Sequence, residues 1–67
     1  DVIAYERFDD TQRVLVVSNF SEQKQTITLP AHWHDKALTC LSYNLDPVKQ
    51  LSRTYILAPY ESFAVLV

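Results

Sequence analysis

With 67 residues, the chain is near the lower size at which a domain folds on one core, burying roughly 60% of its unfolded surface; this excludes a second domain and leaves no room for a substrate-enclosing pocket. A formal net charge of -2 offers no basic patch to nucleic acid or an anionic membrane, and apolar runs of only a few residues exclude a spanning helix. The absence of glycine removes phosphate-cradling loops and dinucleotide fingerprints, where the backbone must approach an anion closely, and no cofactor is expected.

Cys40 is the only cysteine, so no internal disulfide is possible and a reducing, cytoplasmic setting is expected. Between Leu38 and Leu41 it is expected to be a small buried hydrophobe rather than a reactive thiol. The chain starts at Asp1 and contains no Met, as expected for a piece of a longer protein.

Along the chain, Val2 to Phe8 alternates as a strand, Ile3, Tyr5 and Arg7 on one side, Val2, Ala4, Glu6 and Phe8 on the other. Asp9 to Gln12 is a polar connection of hairpin length, so Arg13 to Phe20 is predicted to pair antiparallel with the first strand. In that second strand Val14 and Val16 share one side and Leu15 and Val17 the other. Apolar on both sides, it is expected to be covered on both faces.

Ser21 to Gln23 forms the next turn, and Lys24 to Leu29 is a third strand with Gln25, Ile27 and Leu29 on one side and Lys24, Thr26 and Thr28 on the other, one side facing water. Pro30 ends it, having no N–H for a ladder. Ala31 to Lys36 is predicted as a loop, and Ala37 to Ser42 as a strand. Asn44 to Gln50 reads as a polar, turn-rich loop that Asp46-Pro47 keeps from helix. Arg53 to Ala58 is the fifth strand, Pro59-Tyr60 a sharp corner, and Glu61 to Val67 a final, deeply buried strand. Six short strands with no 3.6-residue period predict an all-β fold, a small antiparallel β-sandwich. Its expected core is Ile3, Tyr5, Leu15, Val17, Ile27, Leu29, Leu41, Ile56, Phe63 and Val65.

No set of these residues is suited to chemistry. Asp9 and Asp10 are two carboxylates, but a retaining glycosidase pair must sit about 5 Å apart across a sugar bound in a cleft, and a turn tip has no cleft. Arg7 and Arg13 flank that turn as candidate ion-pair partners. Glu6 and Glu61 are expected at edges or corners. Ser18, Ser42, Ser52 and Ser62 lack the flanking glycines of a nucleophile elbow, so no catalytic residue is assigned. His32 and His34 lie at i and i+2, and an extended backbone would face both toward one metal with Asp35; a fourth ligand is not evident, so no metal is assigned. Trp33 offers an indole that stacks on a pyranose ring if exposed. Tyr43 and Tyr60 extend that platform, and the three are candidates for carbohydrate or interface contact. A core or interface anchor is the more common role of a lone Trp.

The segment Val2 to Arg7, the run Val14 to Ser21 followed by Thr26 to Pro30, and the closing Leu57 to Val65 with its Pro59-Tyr60-Glu61 corner together resemble the C-terminal domain of α-amylase superfamily enzymes. These include maltogenic amylases, α-glucosidases and sucrose phosphorylases. The most specific parts are the apolar strand ending Asn19-Phe20-Ser21 and the Pro59-Tyr60-Glu61 corner. The resemblance implies a β-sandwich, residues 1–67 as one accessory unit, packed beside a catalytic (β/α)8 barrel whose acids lie outside this chain. The barrel is the implied partner, with α-glucan as a further one. The alternative is a carbohydrate-binding module centred on Trp33. The glycine-free turn at Asp9 to Gln12 and the shortness of the domain depart from relatives.

Overall fold

The computed structural model describes all 67 residues, and its strands are β1 (Val2–Phe8), β2 (Arg13–Asn19), β3 (Gln25–Thr28), β4 (Thr39–Tyr43), β5 (Thr54–Leu57) and β6 (Ser62–Leu66). They form two antiparallel sheets, one of four strands in the order β1-β2-β6-β4 and one pairing β3 with β5. The β-sandwich expected from the strand pattern is therefore present. No helix is long and apolar enough to cross a membrane.

The β1–β2 hairpin is closed by the turn predicted for it. Asp9 N–H donates to Gln12 O at 3.0 Å, and the Asp9 carboxylate accepts from the N–H groups of Thr11 (2.8 Å) and Gln12 (2.9 Å). These backbone bonds hold its carboxyl below the usual range. Arg7 and Arg13 do not pair with the turn aspartates: the one contact between a basic and an acidic side chain joins His32 and Glu6, and the Arg13 guanidinium lies over the Phe8 ring, 5.4 Å from its centroid.

Register decides which residues face inward. Glu6 pairs with Leu15 and Ala4 with Val17, while Tyr5 pairs with Val16 and Ile3 with Ser18. Leu15 and Val17 are buried, so the neighbours beside them on the sheet, Ala4 and Glu6, share the inner face. Ile3 and Tyr5 lie on the outer face and are exposed, which corrects their assignment to the core. Leu41 and Ile56 are also exposed rather than buried. Leu41 falls where the β4–β6 register shifts between Cys40 and Ser42, so the bulge lifts it out of the ladder. Ile56 pairs with Thr26 on the outer side of the small sheet, leaving the inner side to Leu57 and the half-buried Tyr55.

A two-stranded sheet is too narrow to cover four strands, and the loops supply the rest. The core joins Leu15, Val17, Leu29, Leu57, Phe63 and Val65 to Trp33, Val48 and Leu51. Trp33 closes a short 3-10 turn, Ala31–Trp33, while Val48 comes from the segment predicted to be polar loop and Leu51 directly follows it. The two loops are stitched together: Asp35 N–H donates to Leu51 O (2.7 Å) and Leu38 N–H to Lys49 O (3.0 Å). Ile27, Leu38 and Cys40 pack against this core half-buried.

Candidate functional site

Three features gather the polar and exposed side chains of this fold: an inner cluster at Glu6, a fastened corner at Asn19 and Glu61, and the uncovered face of the large sheet. Glu6 is a charge placed by strand alternation on the inner side of β1. Its Oε1 accepts from His32 Nε2 at 2.7 Å and from Trp33 Nε1 at 2.8 Å. The hydrogen bond from His32, partly offset by burial, holds the Glu6 carboxyl below its ordinary value. This arrangement ties β1 to the loop that carries Trp33. A carboxylate on an otherwise apolar strand side was the sequence signal for it, since an inward charge needs partners.

Trp33 is 0% exposed, which overturns the sugar-stacking platform centred on it: an indole enclosed on both faces cannot receive a pyranose. The histidines do not share a side either, because Ala31–Trp33 is a 3-10 turn and not an extended run. His32 turns to Glu6, whereas His34 Nε2 donates to Leu29 O at 2.8 Å. With Asp35 they bring together no group of three ligands.

Asn19 and Glu61 are the buried polar residues of the molecule. Asn19 Nδ2 donates to Gln23 O and Ala58 O, each at 3.0 Å, and its Oδ1 accepts from Ser21 N–H at 2.9 Å. Glu61 accepts from Ala58 N–H at Oε1 and from the Tyr55 hydroxyl at Oε2, both at 2.9 Å. Asn19 N–H donates to Glu61 O at 2.8 Å, so the two residues form one assembly joining the end of β2 to the corner before β6. Burial, and then the bond to Glu61, push the Tyr55 hydroxyl up to about 12. Both residues belong to the motifs that carried the family resemblance, and their work is to fasten loops. Nothing here pairs two carboxylates across a cleft: Glu61 is spent on the corner, Glu6 on Trp33 and His32.

A shallow groove of about 240 Å³ runs between β1 and β3, with Leu15 at its floor and Tyr5, Glu6, Ile27 and Pro30 among its walls. It opens beside the Glu6 cluster. Cross-strand pairing also draws up the outer face of the large sheet. One row is Tyr5, Val16, Ala64 and Ser42, the next Arg7, Val14, Leu66 and Thr39. Its centre, Val14, Val16, Ala64 and Leu66, is apolar, with Arg7, Thr39, Ser42 and the Ser18–Ser62 pair around it, and no element of the chain covers it. The expectation that β2 is covered on both faces is therefore met on one face only. Tyr43 and Tyr60, 53% and 58% exposed, stand at one end of the same sheet. Asn44 Nδ2, next to Tyr43, donates to Tyr60 O at 2.7 Å, and its Oδ1 accepts from Ser62 N–H at 2.9 Å.

The family model of the alpha-amylase SusG C-terminal domain matches residues 2–63, a span that includes both halves of the fastened corner. Palatinase of Erwinia rhapontici is 33% identical over 66 residues, which is 98% of this chain and 12% of that protein's length. The chain thus spans a small fraction of this curated relative. With nearly every residue inside the matched span, the chain belongs to the alpha-amylase SusG C-terminal domain family.

Proposed function

We propose that residues 1–67 act as a non-catalytic accessory domain at the C-terminal side of an enzyme that hydrolyses or transfers α-glucosidic bonds, packing on its catalytic barrel and stabilising it. The observation that carries this reading is the uncovered outer face of the four-stranded sheet. Ile3 and Tyr5 are exposed there beside Val14, Val16, Ala64 and Leu66, an apolar surface of the kind that marks an interaction site. The family match and the palatinase likeness, whose aligned part is 12% of that relative, support a large partner in the same polypeptide. The lone cysteine fits a cytoplasmic parent. Asp9 is engaged in a turn and Glu6 and Glu61 in packing, and no two carboxylates face each other across a cleft, which supports placing the reaction elsewhere. Carbohydrate contact through Trp33 is not retained. Of the three aromatic candidates, Tyr43 and Tyr60 remain exposed.

Ala64→Arg tests the reading. Position 64 lies between Val16 and Ser42 at the middle of the outer face, where a long cation is solvated in the isolated domain. The isolated chain should keep its fold and lose less than about 1 kcal/mol. In the parent the same guanidinium would be trapped against apolar surface at a cost of several kcal/mol. Thermal inactivation of the parent should then begin at lower temperature, and this domain should become sensitive to protease. A parent that inactivates and is cleaved as the wild type does would refute the docking face.

A further inference from the structure

Two residues of this chain have positive φ, Asp35 at 57° and Tyr60 at 58°. Aspartate tolerates the left-handed region because its short side chain hydrogen-bonds locally; a tyrosine has no such compensation. Tyr60 is the third residue of the Ala58–Glu61 turn, closed by Glu61 N–H donating to Ala58 O at 3.1 Å, with Pro59 before it. Positive φ at that position is the type II arrangement, which favours glycine or asparagine. The chain therefore places a tolerant residue at one left-handed position and an aromatic one at the other.

The surroundings hold Tyr60 in this conformation from both sides. Its N–H donates to Ser21 O at 3.2 Å, and its carbonyl accepts from Asn44 Nδ2 at 2.7 Å. Held backbone strain beneath an exposed side chain is the pattern of a functional contact. Phe20, which precedes the Ser21 acceptor, is 62% exposed, and Tyr43, which precedes the Asn44 clamp, is exposed as well. Phe20, Ser21, Tyr43, Asn44, Pro59 and Tyr60 carry no charge. The corner leads directly into β6, whose Ala64 and Leu66 belong to the apolar outer face. An exposed aromatic at the end of the strand that carries part of an apolar face fits the anchor of a protein interface, where tyrosine is enriched among the residues that dominate binding.

We propose that the Ala58–Glu61 turn presents Tyr60 as an aromatic anchor for a neutral, apolar surface of the catalytic domain of the same polypeptide. This rests on the docking reading above and names the residue that would dominate it. Tyr60→Asn tests it by opposite effects in two settings. Asparagine accepts positive φ without the aromatic ring, so the melting temperature of the isolated chain should stay level or rise by up to about 5 °C. In the parent the substitution removes the anchor, so thermal inactivation should begin at lower temperature, with faster proteolysis of this domain.

Equal destabilisation of the isolated chain and the parent would make Tyr60 a packing residue and overturn the proposal. If Ala64→Arg weakens the parent and Tyr60→Asn does not, the anchor fails and the docking face stands. If neither variant weakens it, both fail. Saturable amide shifts at Tyr43 and Tyr60 when maltoheptaose is added to the isolated chain would assign the corner to carbohydrate, and that too overturns the anchor.

Discussion

Asn19 shows how much a single side chain can hold in a domain without glycine. Its amide donates to the carbonyls of Gln23 and Ala58 while its oxygen accepts from Ser21 N–H, so both ends are engaged at a site 2% exposed. Donors and acceptor are fixed, and shape alone is not enough. Asn19→Ala should cost about 1 to 3 kcal/mol by leaving buried backbone groups unpaired. Asn19→Asp should cost more, although it is nearly the same size, because a carboxylate oxygen would face two carbonyls and carry buried charge. Urea unfolding of the two variants checks this: an aspartate variant as stable as the wild type would show that the Nδ2 bonds hold nothing. Glu61 works in the same assembly from the acceptor side. Its removal would strand Ala58 N–H and the Tyr55 hydroxyl together.

Between neighbouring residues of one strand, the fold makes a sharper distinction than composition does. Leu57 and Ile56 are adjacent apolar residues of β5, yet Leu57 is 0% exposed and Ile56 is 63% exposed. Leu57→Ala should cost about 2 to 5 kcal/mol, as should Leu15→Ala in β2, whereas Ile56→Ala should stay within about 0.5 kcal/mol. Equal losses at 56 and 57 in thermal unfolding would mean that the small sheet is turned over. The existence of the six strands was legible in the sequence because alternation and turn residues bracket each one. Which side faces inward was legible for β2, β3 and β6, where Leu15, Val17, Leu29, Phe63 and Val65 are buried as expected. At β1 and β5 the expected side was the wrong one; like β2 and β6 these strands carry apolar residues on both sides, and only cross-strand register separates them. The contributions of Trp33, Val48 and Leu51 were hidden for another reason: loops have no period, so no pattern reports that they fold over an open sheet. At the site, Trp33, Tyr43 and Tyr60 were singled out for exposed aromatic surface, and the structure leaves that surface on the two tyrosines alone. The Glu6 contacts reach across 26 and 27 residues of sequence, a distance at which spacing carries no signal.

For the whole molecule, closure of the sandwich runs through one carboxylate. Glu6 receives both His32 and Trp33, linking the edge strand of the large sheet to the loop that fills the core. Its carboxyl is held below the ordinary value by the His32 bond first, so the folded state prefers the ionised form. The stabilisation is therefore fully present above the ordinary glutamate value of about 4.3 and is lost as pH falls through the lowered folded value. Trp33 is the sole tryptophan and fully buried, which makes its emission a direct reporter of this closure. In the wild type, emission should shift to the red and become accessible to an aqueous quencher on acidification below about pH 4. Glu6→Gln keeps an acceptor oxygen but cannot titrate, so the neutral-pH stability of the variant should be lower and its acid limb shallower. If both proteins lose Trp33 burial along the same acid curve, Glu6 does not couple the sheet to the core, and the acid sensitivity belongs to other carboxylates. The single enclosed indole also means that emission is blind to a ligand on the outer face or at the Tyr60 corner. Any contact made there must be sought through backbone amides or through the stability of the joined protein.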